Sequence, residues 1–140
     1  MAERRVIAST RAAQGSDVHD VVRLLGPLAS EELVAGFLRR GKCVEVATLL
    51  GEVVGLAVLE WLHPLQRAGS EAWLTALVTD ASARHRGVAR ALLGSIGRRV
   101  RQGGGGCLRI ACPLEDDAQR SFLAATGFEP RWLVFERPTG

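Results

Sequence analysis

The chain has 140 residues, enough for one domain with a proper core, and a hydrophobic content of 47% that marks a globular rather than a disordered sequence. Its net charge of +3, carried almost wholly by arginine with Lys42 the only lysine, is a mild excess and not the dense basic surface of a nucleic-acid binder. No apolar run resembles a signal peptide or is long enough to span a bilayer, so a cytoplasmic protein with no membrane partner is expected.

In chain order, Arg5 to Arg11 reads as a short strand, after which Gly15-Ser16-Asp17 offers a cap to a helix whose Val18, Val21, Val22, Leu24 and Leu25 share a face. Gly26-Pro27 ends it. Ser30-Glu31-Glu32 restarts a second helix, with Leu33, Val34, Phe37 and Leu38 at helical spacing up to Arg40-Gly41. Cys43 to Leu50 and Val53 to Leu62 are β-branched runs separated by Gly51-Glu52, short enough to force an antiparallel hairpin. His63 to Ser70 is a polar, breaker-rich connection, and Glu71 to Thr79 forms the fourth strand. A helix then keeps Val88, Leu92, Leu93, Ile96 and Val100 on one side up to the flexible run Gly103 to Gly106. Cys107 to Cys112 is a fifth strand, parallel to the fourth because a helix makes the return journey. Asp116 or Asp117 caps a last helix bearing Phe122 and Leu123, Gly127 stops it, and Phe128 to Glu136 supplies one or two more strands. Cys43, Cys107 and Cys112 are odd in number and lack metal spacing, so reduced thiols and no metal are expected.

The most informative stretch joins the fourth strand to the third helix. A helix opening at Gly87 leaves its first N–H groups without intrahelical acceptors, and the positive end of the helix dipole backs them, an arrangement that holds phosphate or pyrophosphate. Gly87 and Ala89 let a ligand approach the backbone, while Arg84, Arg86 and Arg90 add forked donors around the same turn. The turn lacks the Gly-Lys-Ser/Thr of a P-loop and the Gly-x-Gly-x-x-Gly of a dinucleotide fold. Arg84-His85-Arg86-Gly87-Val88-Ala89 instead resembles the Arg/Gln-x-x-Gly-x-Gly/Ala signature of the GNAT family of acyl-CoA-dependent N-acetyltransferases. The apolar Leu74-x-x-Leu77-Val78 before it, Ala91-Leu92-Leu93 after it, and the later Phe122-Leu123 and Gly127-Phe128 extend the resemblance over roughly residues 43 to 137.

The resemblance implies a single N-acetyltransferase domain over residues 1 to 140, an α/β mixed sheet of about six to seven strands with four helices. It implies acetyl-CoA as cosubstrate, lying between splayed fourth and fifth strands against Leu77, Val78, Thr79 and Phe122, with its pyrophosphate on Arg84, His85, Arg86, Gly87, Val88, Ala89 and Arg90. A bulge at Ala76 to Val78 would turn a backbone N–H, that of Leu77, toward the thioester oxygen, a donor typically worth about 3 to 4 kcal/mol of barrier. The other partner is an amine-bearing acceptor, which the two early helices border in this family; neither nucleic acid nor membrane is called for, and a homodimer is compatible. As base for the acceptor, Glu71 at the head of the fourth strand comes first, then Glu60 and His63. One family feature is missing. The tyrosine that follows the phenylalanine of the fourth helix as general acid is Leu123 here, in a chain without tyrosine, though Ser121 or water could substitute. That departure keeps a rival open, a weak or silent acyl-CoA-binding sensor or partner subunit. A nucleic-acid reading of Arg98, Arg99 and Arg101 lacks interleaved aromatic residues and fits a cationic helix end.

Overall fold

The structure, a computed structural model, describes residues 7–66 and 69–140. It comprises two compact units, Met1–Arg109 and Ile110–Gly140. The first holds strands β1 (Ser9–Ala12), β2 (Cys43–Leu49), β3 (Glu52–Leu62) and β4 (Glu71–Thr79) and helices α1 (Val18–Leu25), α2 (Glu31–Arg39) and α3 (Val88–Gln102). A short strand β5 (Leu108–Ile110) begins at its end, and the sheet runs β1-β2-β3-β4-β5 with antiparallel pairing from β1 through β4.

The hairpin between β2 and β3 turns on Leu50 and Gly51, at φ 51° and 83°, rather than on Gly51-Glu52. Two successive left-handed residues match the right-handed twist of the flanking strands, and this is one of two places where a residue other than glycine takes positive φ among the described residues. From Val53 to Leu59 every residue of β3 is buried, the unbroken pattern of a strand covered on both faces. On one face Leu56 and Val58 pack with Val44 and Val46 under Val21 of α1 and Val34 of α2. On the other, α3 lays down Val88, Leu92, Ile96 and Val100, all buried. The contact with α3 is close because β3 carries Gly55: a Cβ there would stand 2.6 Å from Val88 Cγ1 and 3.0 Å from the Val78 carbonyl oxygen. Buried Glu45 of β2 meets Arg99 of α3 on the same face, so this buried carboxylate has its counter-charge.

Two devices fix the start of the chain. Arg11 donates to both oxygens of Asp17, at 2.6 and 2.9 Å, and the Gln14 N–H donates to Asp17 Oδ2 at 2.7 Å, tying β1 to the entry of α1. Ser30 caps α2 by accepting from the Leu33 N–H at 3.1 Å. Of the expected first strand, Arg5 and Val6 lie outside the described residues, and pairing begins at Ser9.

In the second unit, α4 (Asp117–Ala125) is capped by Asp116, whose Oδ1 accepts from the Gln119 N–H at 3.0 Å. It closes through Gly127 at φ 96°, with the Phe128 N–H reaching the Leu123 carbonyl at 3.0 Å, a Schellman ending. Two expectations are corrected beyond this point. The fifth strand covers Leu108–Ile110 rather than Cys107 to Cys112, and Phe128 to Glu136 forms no strand, so the described residues contain five strands and four helices instead of six or seven strands. Apolar, β-prone composition makes a strand only where a neighbour accepts its ladder. Here Pro130 removes a donor, Arg131 pairs locally with Glu129 at 2.7 Å, and Trp132 to Phe135 are exposed.

Two outcomes follow from this packing. Gly55→Ala should overpack the α3 seat and lower stability by about 1 to 3 kcal/mol, read as a fall in thermal midpoint; an unchanged midpoint would mean that α3 lies farther from β3. The Arg11 hydrogen bonds hold the Asp17 carboxyl below the ordinary aspartate range against the opposing effect of its burial. A depressed folded value means the pair contributes fully above the unfolded pKa, about 4, and its contribution fades as pH falls through the folded value. Asp17→Asn should therefore lower stability at neutral pH and flatten the acid limb of a denaturation profile, whereas an unaltered acid limb would assign that limb to other carboxylates.

Candidate functional site

The third helix is seated with its first turn at the end of β4. β4 ends at Thr79, Asp80 to Ala83 makes a short 3-10 turn, and Gly87 caps α3. His85 and Gly87 are left-handed, at φ 64° and 79°, so the backbone turns sharply on its way into the helix. Within α3 the first amide with an acceptor is Ala91, bonded to the Gly87 carbonyl at 3.0 Å; those of Val88, Ala89 and Arg90 find none among the described residues, and no side chain caps the helix. Arg84, Arg86 and Arg90 are exposed around this turn, and none of them forms an ion pair among the described residues. Donors without acceptors, cations without anions and the helix dipole converge here. That combination suits a diphosphate.

A clamp that the sequence reading missed holds the turn in place. Asp80 Oδ1 accepts from the Ser82 N–H and hydroxyl at 3.1 and 3.0 Å, its Oδ2 accepts from Arg23 Nη1 at 2.8 Å, and Arg23 Nη2 reaches the Val53 carbonyl at 3.0 Å. The last turn of α1, the start of β3 and the exit of β4 thus share one guanidinium. The Ser82 N–H, then Arg23, hold the Asp80 carboxyl below its usual range, and the same contact raises Arg23. Asp80 followed two residues later by a serine is an Asx-turn signal that could have been read in advance; Arg23, far away in sequence, could not.

The β4 bulge is a correction. The register pairs Val58 with Ala76 and Leu59 with Leu74, so the extra residue is Thr75, while Leu77 and Val78 pair regularly with Ala57 and Leu56. Bulge position depends on the partner strand's register, which a lone strand sequence does not encode. Leu77, Val78 and Thr79 are half-buried along the C-terminal half of β4, continuous with the turn. Glu71 stands at the opposite end, about 20 Å from Leu77 along the strand. It is buried and meets Arg109 Nη1 of β5 at 3.1 Å, an ion pair between adjacent strands. The structure thus gathers residues 77 to 90 into one continuous surface and sets Glu71 beyond the bulge. Phe122, half-buried, and Leu123, buried, belong to the second unit.

His63 accepts or donates a 2.8 Å hydrogen bond with the Ser70 hydroxyl in an open recess of about 490 Å³ that also exposes Cys43, Trp61 and Arg99. Burial pushes the Cys43 thiol up, away from reactivity. This recess adjoins the last turn of α3, roughly 20 Å from its N-terminus, so it is separate from the anion turn.

A model described as the acetyltransferase (GNAT) family matches residues 25–128. No curated protein matches the chain in sequence. Among solved structures, the aminoglycoside N-acetyltransferase AAC(6')-Iy in complex with CoA is similar at TM-score 0.82 and 17% identity, covering 99% of each chain. The aminoglycoside acetyltransferase meta-AAC0020 from an uncultured soil metagenomic sample, in complex with sisomicin, gives 0.80 and 16% over 96% of this chain and 97% of its own. An acetyltransferase of Trypanosoma brucei gives 0.77 and 22% over 94% and 99%. At these identities the likeness establishes the fold.

Removal of the clamp should loosen the anion turn without unfolding the sheet. Asp80→Ala is expected to raise hydrogen exchange at residues 81 to 90 selectively, with the β2 and β3 amides still protected; uniform loss of protection would show that Asp80 supports the fold as a whole.

Proposed function

The chain belongs to the GNAT acetyltransferase family, and from that premise we propose that it transfers an acetyl group from acetyl-CoA to a primary amine, acting as one domain over its 140 residues. The observation that carries the reading is the turn at α3, where three consecutive amides find no acceptor, and three arginines no ion pair, among the described residues. These groups fit a diphosphate: Val88, Ala89 and Arg90 would donate from the backbone, Arg84 and Arg86 from the side chain, and His85 and Gly87 shape the loop so that the ligand reaches it. Leu77, Val78 and Thr79 would wall the pantetheine arm. Bound acetyl-CoA supplies an activated acyl group, and the amine nitrogen forms the new C–N bond as the C–S bond breaks.

The protein's task is then to place and deprotonate the amine. Glu71 is the candidate proton acceptor, and its ion pair with Arg109 fixes the carboxylate at the head of β4. The Thr75 bulge breaks the β4 ladder between Glu71 and Leu77, which supports a backbone donor for the thioester oxygen in that interval. The solved relatives bound to CoA and to sisomicin agree with this pairing of cosubstrate and amine acceptor. A second reading, a slow or silent acyl-CoA binder, is favoured by one observation: Leu123, at the family's tyrosine position, is apolar and buried.

Calorimetry with CoA followed by a thiol-release assay over a panel of amines separates the two readings. Gly87→Glu should abolish CoA binding, since it places a carboxylate in the anion turn and forces a non-glycine residue into left-handed backbone at a cost of about 1 to 2 kcal/mol. Wild-type protein that is folded yet binds no CoA would refute the proposal. Glu71→Gln should lower kcat by about 10² or more at unchanged CoA affinity. If instead Glu71→Gln and Arg109→Met lower the thermal midpoint alike and leave kcat intact, the pair is only a clasp between strands.

A further inference from the structure

We propose that Glu60 and Trp73 form the recognition site for a cationic acceptor, holding its ammonium group beside the β4 bulge; the inference rests on the acyl-transfer reading above. Register places the two side chains together. Glu60 and Trp73 are directly opposed across β3 and β4, so they stand on the same sheet face, with Glu71 two residues along from Trp73 on that face. It is the face covered by α1 and α2, because Leu56 and Val58, in alternation with Glu60, belong to the core beneath Val21 and Val34. The extra residue Thr75 lies two positions beyond Trp73. A group bound at Glu60 is therefore within about 7 Å, two strand residues, of the bulge.

The chemistry of the trio is selective. Glu71 is offset by Arg109, whereas Glu60, half-buried, forms no ion pair among the described residues. A partly desolvated carboxylate without a cation attracts one, and an adjacent indole adds attraction for an ammonium ion through its ring quadrupole. Trp73 contributes a second sign of a missing partner. Its Nε1 is buried and finds no acceptor among the described residues. A carboxylate on the amine is disfavoured by the Glu60 carboxylate and by the negative face of the indole ring. The ligand class is thus a primary ammonium on a carrier that is itself cationic, and an amine with a nearby carboxylate is excluded.

The test uses the full chain saturated with CoA and two probes of equal length, 1,4-diaminobutane and 4-aminobutanoate. The indole N–H resonance of Trp73, assigned by its loss in Trp73→Phe, should shift on titration with the diamine and stay still with the amino acid. Glu60→Gln should weaken diamine binding about 10- to 100-fold, the worth of one charge-assisted contact, while CoA affinity and thermal midpoint stay the same. Glu52→Gln, at the far end of β3, serves as the control for general charge loss and should leave the titration unchanged. Equal response to both probes, no response, or an unaltered titration in Glu60→Gln would overturn the proposal. An intact titration with no thiol release would refute acetyl transfer and leave this site standing; thiol release with amine preference independent of Glu60 would do the reverse.

Discussion

The closeness of α3 to β3 is the constraint on which the site depends. Gly55 leaves room for Val88 and Leu92 to lie directly on the strand, and that contact sets the height and direction from which the helix leaves β4. With the first turn of α3 held there, its first three amides find no acceptor among the described residues and no side chain caps them. The Arg23 and Asp80 clamp fixes the intervening turn from the other face of the sheet. Packing on both sides of β3 therefore converges on one stretch of backbone, residues 80 to 90, whose own side chains bury little apart from Ala83 and Val88. Such a turn keeps its donors ready without reorganisation when an anion arrives.

Charge is distributed along β4 in the same sense. Its C-terminal exit carries three arginines that form no ion pair among the described residues, and its N-terminal head carries Glu71, with Glu60 alongside on β3. The bulge at Thr75 separates the two. An anionic cosubstrate and a cationic acceptor could thus approach one strand from opposite ends and meet near its irregularity, each steered by charge of the appropriate sign. Arg109 pairs with Glu71 at that acidic end, whereas Glu60 forms no ion pair among the described residues.

Much of this was legible in the sequence because it depends on local pattern. The helix opening at Gly87, the cap at Ser30, the hairpin and the end of α4 at Gly127 each follow from turn chemistry or spacing within a few residues. What escaped was non-local. Thr75 became the bulged residue through the register of β3, Arg109 met Glu71 across a strand boundary, and Arg23 reached Asp80 from 57 positions away. Phe128 to Glu136 shows the converse failure: an apolar, β-prone run is a strand only when a partner accepts its hydrogen bonds, and that condition is not written in its composition. Trp73 was invisible for a similar reason, since an orphaned indole N–H exists only once the neighbours are in place.

The central claim is that the backbone at the start of α3 binds the diphosphate of CoA. Backbone amide NMR of the full chain titrated with CoA tests it most directly. The account predicts that the largest shifts fall on the amides of Gly87 to Arg90, moving downfield as they acquire phosphate acceptors, with smaller changes along Leu77 to Thr79 and none at Gly103 to Gly106. Largest shifts at the recess beside Trp61 and Cys43, with residues 87 to 90 unmoved, would contradict it.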